Sequence, residues 1–426
     1  MTATSRSGRR DARRLIRLGL PGAAVLLVVT IIIVSLAGSR PAAAARRGGD
    51  GWVTSWGASP QAPAPGAFAE AGFDDQTVRD VIVTSVGGGP VRLELTNVFG
   101  TSPLRVGRVT VAVAGVGAAV APGMIHPVTV GGSASFRIPA GGQVLSDPVN
   151  MQVQPMQALA VSVYLPDRTG PATYHADAQQ VSWVSVAGDY TAEEGPAAFA
   201  FPTLSWYYVT GLIVRSSGAD GTVVAFGDSI TDGVGSAVGA DARWPSDLAR
   251  RLDALNGPAL SVADEGIGGN RVLAGSRCCG ASAEARFGRD ALDQPGVRDI
   301  IVLEGINDIG FSAGRVGAAR IIAGYEQLIA RAHARGLKIF GATLLPFQGA
   351  GYYTAAGEAT REAVNAWIRT SGAFDAVIDF DAIMHDPADP LRLNPGYDSG
   401  DHLHPSDAGY QAMADAISLQ MLLPSR

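Results

Sequence analysis

The apolar pattern of the chain changes at about Gly221, and this change limits the folds that the sequence can adopt. Between residues 52 and about 215, short apolar segments alternate with polar residues at a period of two and are separated by Gly, Pro and Asn. Such alternation with frequent turn residues is typical of antiparallel strands with one face in water. The first half therefore predicts an all-β sandwich without a long amphipathic helix.

After Gly221 the predicted strands are unbroken apolar runs, and a segment with helical periodicity follows each of them. The runs are TVVAFG, LSVADEG, DIIVLEG, LKIFGATLLPF and FDAVIDFDAI. Strands that are apolar on both faces and alternate with helices are typical of a parallel sheet covered on both sides. We predict a doubly wound, flavodoxin-like α/β domain that binds its ligand beyond the carboxyl ends of the strands.

These patterns divide the 426 residues into three predicted segments. Residues 1–47 form a leader, residues 48–215 the sandwich domain and residues 216–426 the parallel-sheet domain, with the polar stretch 216–221 as the linker. The hydrophobic fraction of 47% supplies enough apolar side chains for two cores.

The leader has a basic start, an uncharged apolar run at residues 18–39 and a small-residue site of the A-x-A type. These are the parts of an export signal peptide. If the Pro-Gly pair at 21–22 does not end the helix, the run is long enough to span a bilayer as an uncleaved anchor. Both alternatives place the rest of the chain outside the cytoplasm, either secreted or anchored by the leader.

The distribution of charge excludes one class of partner. The whole chain has a net charge of -6, but the leader holds nine Arg and one Asp, so the remainder has 24 basic and 38 acidic residues. An acidic protein binds poorly to nucleic acid and to anionic membrane surfaces. We therefore expect no nucleic-acid partner, and contact with a membrane only through an uncleaved leader.

Cys278 and Cys279 are the only cysteines of the chain, and they are adjacent. One pair cannot form a disulfide framework. The pair fits either two small residues in a loop or a vicinal disulfide, and the strict geometry of disulfides favours the first interpretation.

Four polar segments follow predicted strands or precede the last helix. Ser229, directly after the first strand, is either a helix N-cap or a nucleophile with a base within reach. Gly269, after the second strand, lets the backbone point an N–H at a ligand, and Asn307, after the third, is an amide donor for an oxyanion. Near the C-terminus, Asp401 and His404 have the spacing of an orienting acid and a general base.

In this order the four segments resemble the motifs of the SGNH or GDSL-type serine hydrolases. The resemblance covers residues 222 to 423 and rests on a Gly-Asp-Ser block, a glycine block, a Gly-x-Asn-Asp block and an Asp-x-x-His block. The matching residues are GDS at 227–229, IGGN around Gly269, GIND at 305–308 and DHLH at 401–404.

The resemblance implies a role for each of these residues. Ser229 would be the nucleophile, His404 its base and Asp401 the acid that orients the base. The oxyanion hole would consist of the backbone N–H groups of Ser229 and Gly269 and the side chain of Asn307. The implied protein is a carboxylic ester hydrolase that needs no cofactor.

The segments RWP, GIGGNRV and LEGINDIG after a sandwich resemble secreted members of this family that are associated with xylan and other plant polysaccharides. We therefore expect an ester substrate with a short acyl group, above all an O-acetyl ester on a polysaccharide. A lipase or aryl esterase of the same fold is an alternative. An inactive carbohydrate-binding or adhesion protein, in which the sandwich carries the function, is an alternative of another class.

A second serine competes with Ser229. Ser312 lies in GFSAG, which fits the nucleophile elbow of the α/β-hydrolases, and His404 follows it in the expected order. The elbow requires its serine at the strand-to-helix turn, whereas the third strand is expected to end near Asn307. This argument favours Ser229.

The histidines and aspartates offer a metal site as a further alternative. His402 and His404 with Asp401 could hold an ion on an extended segment. A calcium site is a weaker alternative, because its candidate ligands lack a regular loop spacing. Those candidates are Asp386, Asp389 and Asp398.

Three other polar residues are expected to be structural. Asp228 is predicted to accept a structural hydrogen bond, because a carboxylate beside the nucleophile would oppose the developing oxyanion. His126 and His175 stand alone in the sandwich half, and each is predicted to be solvated or hydrogen-bonded without a part in the site.

Overall fold

The computed structural model of the protein describes residues 51–216, 218–255 and 259–423. The leader lies outside the described residues, so the signal peptide or anchor stays a prediction. Within the described ranges, no helix is both long enough and apolar enough to cross a membrane.

The regular secondary structure of the described residues up to Arg215 consists of β-strands and one short helix, α1 (Phe68–Ala71), after the first strand. The strands are β1 (Trp52–Gly57), β2 (Gln76–Val83), β3 (Val91–Thr96), β4 (Leu104–Val106), β5 (Arg108–Val113), β6 (His126–Val128), β7 (Phe136–Ile138), β8 (Gln143–Leu145), β9 (Ala158–Leu165), β10 (Tyr174–His175), β11 (Ser182–Ala187), β12 (Phe201–Thr203), β13 (Trp206–Tyr207) and β14 (Val209–Arg215).

Two larger antiparallel sheets form the sandwich. Their strand orders are β1-β14-β3-β8 and β12-β11-β2-β9-β5-β6. Side chains from both sheets, such as Leu93, Val163 and Leu212, meet in one apolar core. In β3, the apolar residues are buried while Arg92 and Glu94 are partly exposed, as the period of two requires. The predicted all-β sandwich is confirmed.

The rest of the described chain alternates strands with helices. Its strands are β15 (Ala219–Gly227), β16 (Ala259–Gly266), β17 (Val297–Leu303), β18 (Lys338–Ala342), β19 (Ala376–Ile378), β20 (His385–Asp386) and β21 (Asp389–Leu393). Its helices are α2 (Ser229–Asp232), α3 (Trp244–Asp253), α4 (Ala283–Phe287) continued by a π-helical turn (Gly288–Leu292), α5 (Ile306–Phe311), α6 (Ala318–His333), α7 (Ala355–Thr370), α8 (Phe380–Met384), α9 (Asp407–Ala416) and α10 (Leu419–Leu422).

Five of these strands form a parallel sheet in the order β16-β15-β17-β18-β19. Counted from β15 this is the order 2-1-3-4-5 of flavodoxin-like folds. The central strands are apolar on both faces, and residues 223–226 of β15 are fully buried. Helix α3 packs against α9, and α6 packs against α7. The predicted doubly wound α/β fold is confirmed.

Two local predictions were wrong. The expected linker at 216–221 is shorter, because β15 begins at Ala219. The run FDAVIDFDAI is a strand only over Ala376–Ile378. The side chain of Asp379 then accepts a hydrogen bond from the N–H of Ala382, which caps α8 and ends the extended segment.

The first strand of the sandwich also contacts the parallel-sheet half. The N–H of Thr54 donates to the Pro295 carbonyl at 3.1 Å, and its hydroxyl donates to Gln294 at 2.9 Å. The hydroxyl of Ser59 donates to the Glu265 carboxylate at 2.6 Å. The described parts of both halves belong to one compact unit. The division into domains at residue 215 stays a prediction.

The guanidinium of Arg286, on α4, also connects the sandwich with the parallel-sheet half. One terminal nitrogen donates to the Ser59 hydroxyl at 3.0 Å and to the Glu265 carbonyl at 2.8 Å. The other donates to the Gly227 carbonyl at 2.7 Å, and Nε donates to the Asn270 side chain at 2.9 Å. The side chain is fully buried. It therefore joins the sandwich to the carboxyl ends of β15 and β16.

We expect Arg286→Lys to lower the free energy of unfolding by about 3 kcal/mol, because an ammonium group cannot serve all four acceptors and leaves buried ones unpaired. Urea denaturation followed by circular dichroism measures the loss. Arg320→Lys, on the exposed face of α6, is the matched control and should change stability by less than about 0.5 kcal/mol. Equal effects of the two substitutions would contradict the role given to Arg286.

Candidate active site

Ser229 lies where β15 passes into α2. A Cβ atom on Gly227 would stand 2.3 Å from the Leu303 carbonyl oxygen, so the strand can leave the sheet here only as glycine. The Asp228 carboxylate accepts a hydrogen bond from the N–H of Ile230 at 3.0 Å and caps α2. This confirms the structural hydrogen bond predicted for Asp228. Ser229 is then the first helical residue, with its backbone N–H in the unpaired first turn.

The structure brings Ser229, His404 and Asp401 together. The distance from His404 Nε2 to Ser229 Oγ is 2.8 Å, and that from His404 Nδ1 to Asp401 Oδ2 is 2.5 Å. The other carboxylate oxygen of Asp401 accepts the N–H groups of Leu403 and His404 at 3.0 and 2.8 Å. The three side chains thus form one hydrogen-bonded row from hydroxyl to carboxylate.

The Asp401 carboxyl is held in its ionised form. Partial burial works against ionisation, but hydrogen bonds from the backbone and ring of His404, together with the charge on that ring, lower the pKa of Asp401 below its usual range. An ionised acid at this place accepts the Nδ1–H of the imidazole and leaves Nε2 free to accept a proton.

Asn307 lies in the first turn of α5, at the carboxyl end of β17, and is buried. Its side-chain oxygen accepts the hydroxyl hydrogen of Tyr352 at 3.2 Å. Within the part of the chain that the structure describes, Nδ2 has no hydrogen-bond partner. A buried donor without a partner is costly. The amide is therefore oriented by Tyr352, with its N–H groups available to a ligand.

The glycine loop, residues 266–269, begins at the last residue of β16. Other parts of the chain lie close to it on three sides. A Cβ atom on Gly266, Gly268 or Gly269 would approach another part of the chain within 3 Å. The nearest atoms are, in that order, Asp232 N at 2.3 Å, Asp177 Oδ2 at 2.4 Å and Cys279 Sγ at 2.8 Å. Gly269 also has a φ of 71°, which favours glycine. At Gly266 the close neighbour is backbone, so a side chain would fit there only if α2 moved.

Cys278 and Cys279 form a vicinal disulfide. The interpretation as two small loop residues was therefore wrong. Two amide side chains hold the backbone of the pair, because Asn270 donates to the Cys279 carbonyl at 2.7 Å and Gln61 donates to the Cys278 carbonyl at 3.3 Å. The contact with Gln61, which is 217 positions away, is invisible in the local sequence. The disulfide lies against Gly269.

The competing serine is placed differently. Ser312 follows the last residue of α5 rather than a strand. Its hydroxyl donates to the Ile309 carbonyl at 3.0 Å and accepts the N–H of Val316 at 3.0 Å. The Ser312 hydroxyl thus both donates to and accepts from the backbone of its own turn.

The two histidines of the DHLH segment face different carboxylates. His402 Nδ1 lies 2.6 Å from Asp398 Oδ2, whereas His404 faces Asp401. Across the described ranges there is no group of three or more His, Cys, Asp or Glu side chains suited to a metal ion. Asp386 and Asp389 lie in the hairpin of β20 and β21.

Residues 225–412 match the model of the GDSL-like Lipase/Acylhydrolase family. The chain carries a GDSL-like lipase/acylhydrolase domain. It is a carboxylic ester hydrolase, as the sequence predicts. No curated protein matches the chain.

Solved structures resemble the GDSL domain at low identity. A catalytic mutant of an acetylxylan esterase from Geobacillus stearothermophilus is 21% identical, with 49% of this chain and 99% of that chain covered and a TM-score of 0.37. A carbohydrate acetylesterase family member from Sinorhizobium meliloti is 18% identical, with 47% and 96% covered and a TM-score of 0.37. A GDSL-like lipase from Bacteroides thetaiotaomicron is 18% identical, with 46% and 85% covered and a TM-score of 0.36.

Three buried carboxyl groups of the GDSL domain, those of Asp228, Glu304 and Asp308, lie close to one another beside Ser229. Burial raises the pKa of Asp228 to about 7 and that of Asp308 to about 6. Burial also raises the pKa of Glu304 well above its usual range. At weakly acidic pH these groups are largely neutral, so they add little negative charge beside a developing oxyanion.

Sequence reasoning missed two residues next to the site. His175, from the sandwich, is hydrogen-bonded as expected, but it is buried and its Nε2 lies 3.0 Å from Oδ1 of Asp232, in the helix that Ser229 begins. Tyr352, which orients Asn307, comes from the loop after β18. Neither belongs to a recognisable motif, and only the tertiary fold brings them here.

We expect the free energy of unfolding to fall as pH rises from about 4 to about 7, in part through Asp228. An unfolded Asp ionises near pH 4, whereas the folded GDSL domain keeps the Asp228 proton until about pH 7. The resulting stabilisation is complete below pH 4 and is lost as pH rises through the folded pKa.

The variant Asp228→Asn removes this titration. The free energy of unfolding of the variant minus that of the wild type should therefore increase between pH 4.5 and 7, by up to about 1.4 kcal/mol per pH unit. Urea denaturation at a series of pH values measures the difference. A difference that stays constant with pH would refute the assignment.

Proposed function

We propose that the protein is an extracytoplasmic serine esterase in which Ser229 is the nucleophile, His404 the general base and Asp401 the acid that orients it. The observation that carries the proposal is the hydrogen-bonded row of the three side chains, with 2.8 Å between serine and histidine and 2.5 Å between histidine and aspartate. A row of this kind is the arrangement that activates a serine hydroxyl.

In the proposed acylation step, the Ser229 oxygen attacks the ester carbonyl while His404 Nε2 accepts the hydroxyl proton. The carbonyl oxygen of the tetrahedral intermediate becomes an oxyanion. The backbone N–H groups of Ser229 and Gly269 and the free Nδ2 of Asn307 would donate hydrogen bonds to it. The intermediate then expels the alcohol, which takes the proton from His404, and the acyl group stays on Ser229.

Hydrolysis of the acyl-enzyme repeats the same movements with water. His404 takes a proton from the water molecule as its oxygen attacks the acyl carbonyl, and then returns the proton to the Ser229 oxygen as the acid leaves. The ionised Asp401 stabilises the imidazolium in both steps. A serine hydrolase of this type needs no cofactor.

The surroundings of the oxyanion donors support a short acyl group. The Cys279 sulfur lies against Gly269, and the Tyr352 ring lies against Asn307 and Gly310. A Cβ atom on Gly310 would stand 2.4 Å from that ring, so the wall has little room to yield. These walls favour acetyl over long acyl chains.

The outer side of the site supports a polar alcohol. The Asp401 side chain is about half exposed, and the neighbouring His402 is exposed as well. The sequence segments that resemble polysaccharide-associated members of the family point in the same direction. We therefore propose O-acetylated polysaccharide as the substrate class. Phe311, 52% exposed and next to Gly269, favours aryl esters as a second candidate.

Two features support a location outside the cytoplasm. The leader has the composition of an export signal. In addition, the disulfide between Cys278 and Cys279 is a bond that forms and persists in oxidising compartments. The two observations are independent, because one lies in the leader and the other lies beside the site.

Ser229→Ala should abolish both ester hydrolysis and covalent labelling by an organophosphonate, because no other hydroxyl is proposed to reach His404. Ser312→Ala is the matched control and should retain both, since its hydroxyl only bonds its own turn. Mass spectrometry of the labelled protein identifies the modified serine. Label on Ser312, or a phosphonate-insensitive wild type, would contradict the proposed mechanism. A wild type without esterase activity would favour the binding or adhesion alternative.

We expect kcat/KM for 4-nitrophenyl acetate to exceed that for the octanoate by at least about tenfold, because the Cys279 sulfur and the Tyr352 ring narrow the space beside the proposed oxyanion donors. A higher value for octanoate would indicate an apolar channel and a lipase, since each buried methylene contributes about 0.8 kcal/mol. Acetate release from acetylated xylan, measured in parallel, tests the alcohol. Phe311→Ala should lower kcat/KM only for the aryl ester if the phenyl ring binds that group.

A further inference from the structure

We propose that His175 of the sandwich, acting through Asp232, is a positioning residue for the oxyanion donors of the GDSL domain. The proposal rests on the proposed serine mechanism and gives the sandwich a part in it. His175 would hold Asp232, and Asp232 would hold the glycine loop in the orientation in which the N–H of Gly269 points to the oxyanion.

The hydrogen bonds of His175 define the state of its ring. Nδ1 lies 3.0 Å from the Ser59 carbonyl oxygen, which can only accept, so Nδ1 carries a hydrogen. Nε2 lies 3.0 Å from Asp232 Oδ1. The second Asp232 oxygen accepts the N–H of Gly268 at 3.0 Å. With both oxygens facing nitrogen donors, the arrangement fits a carboxylate beside a doubly protonated, positively charged imidazole.

Asp232 connects the nucleophile to the glycine loop. It is the last residue of α2, the helix that Ser229 begins, and its N–H donates to the Asp228 carbonyl at 2.9 Å. The bond from Gly268 fixes the peptide that precedes the one carrying the N–H of Gly269. Asp232 therefore contacts both loops. Its backbone N–H bonds the peptide that carries the N–H of Ser229, and its carboxylate bonds the peptide before the one that carries the N–H of Gly269.

A charged partner for Asp232 is needed at this depth. The His175 and Asp232 side chains are 3% and 2% exposed, and an unpaired charge at such burial is strongly unfavourable. His175 is the group within hydrogen-bonding distance of Oδ1, and it comes from β10. The catalytic half of the chain alone therefore does not complete this pair.

Other charged groups also face the pair. Asp177, two residues after His175, lies against Gly268, and Asp264 on β16 and Arg243 before α3 lie near Asp232. Burial opposes the charge on the imidazole, but the charge and hydrogen bond of Asp232, with smaller effects of Ser59 and Asp177, raise the pKa of His175 to about 9. The ring thus keeps its proton at neutral pH and loses it as pH rises through about 9.

Two variants separate positioning from simple stability. His175→Phe removes both N–H groups and the charge. It should lower kcat by about 10- to 100-fold while KM changes less than about threefold, because the donors act only on the transition state. His175→Gln keeps an amide donor for Asp232 and should recover most of kcat at pH 7. His126→Gln, a half-buried histidine of β6, is the control and should leave kcat unchanged.

The pH dependence of kcat separates positioning from a purely structural role, because a structural role would not change it. Wild-type kcat should decline as pH rises through about 9, and His175→Gln should lack this decline. Because protonated His175 also contributes stability that is lost above its ordinary pKa of about 6.5 and through 9, circular dichroism must show a folded protein at each pH. Amide hydrogen exchange should be faster in the glycine loop of His175→Phe and unchanged in β17.

The results of these experiments test the role of His175 separately from the serine mechanism. Unaltered kcat in folded His175→Phe, or the same alkaline decline in His175→Gln as in the wild type, would overturn the role of His175 and leave the serine mechanism intact. If His175→Phe does not fold, the pH profile of His175→Gln still decides. Activity in Ser229→Ala would instead refute the proposed function itself.

Discussion

The arrangement of the protein depends on one buried cation, the guanidinium of Arg286. The strands β15 and β16 end side by side next to the site, where the Gly227 carbonyl accepts the N–H of Ile267 at 3.1 Å and has a second lone pair to be satisfied. Arg286 donates hydrogen bonds to the Gly227 and Glu265 carbonyls, and it also donates to Ser59 of the sandwich. A planar group with five N–H donors can serve such diverging acceptors, whereas a point charge cannot.

The same cation sets the electrostatics behind the nucleophile. Glu304 lies 3.6 Å and Asp290 3.4 Å from Arg286, and Asp228 and Asp308 are nearby in the same buried region. Burial leaves Asp228, Asp308 and Glu304 with raised pKa values, although the charges of Arg286 and Arg271 favour the ionised forms. At weakly acidic pH the region therefore holds protons rather than charge, and Asp308 ionises as pH rises through about 6.

Much of the fold and of the candidate site could be predicted from the sequence, because the signals are local. Apolar runs followed by helical periodicity gave the parallel sheet, and short motifs at strand ends pointed to Ser229, Gly269 and Asn307. The spacing of Asp401 and His404 places both on one short loop. What could not be predicted depends on contacts distant in sequence. His175 and Asp232 are 57 positions apart and meet only when the sandwich lies against the sheet. The contact of Gln61 with the Cys278 carbonyl joins residues 217 positions apart and is of the same kind.

The glycine loop also bears on how such a protein can be rearranged, by evolution or by design. Its three glycines approach α2, the sandwich and the cysteine pair so closely that a Cβ atom at any of them would require a neighbour to move. The loop therefore packs against all three parts of the chain at once. An exchange of the sandwich for an unrelated module would leave the space above Gly268 open, even if the catalytic half kept its fold. The predicted boundary at residue 215 thus separates two architectures, whereas the neighbours that enclose the glycine loop come from both sides of it.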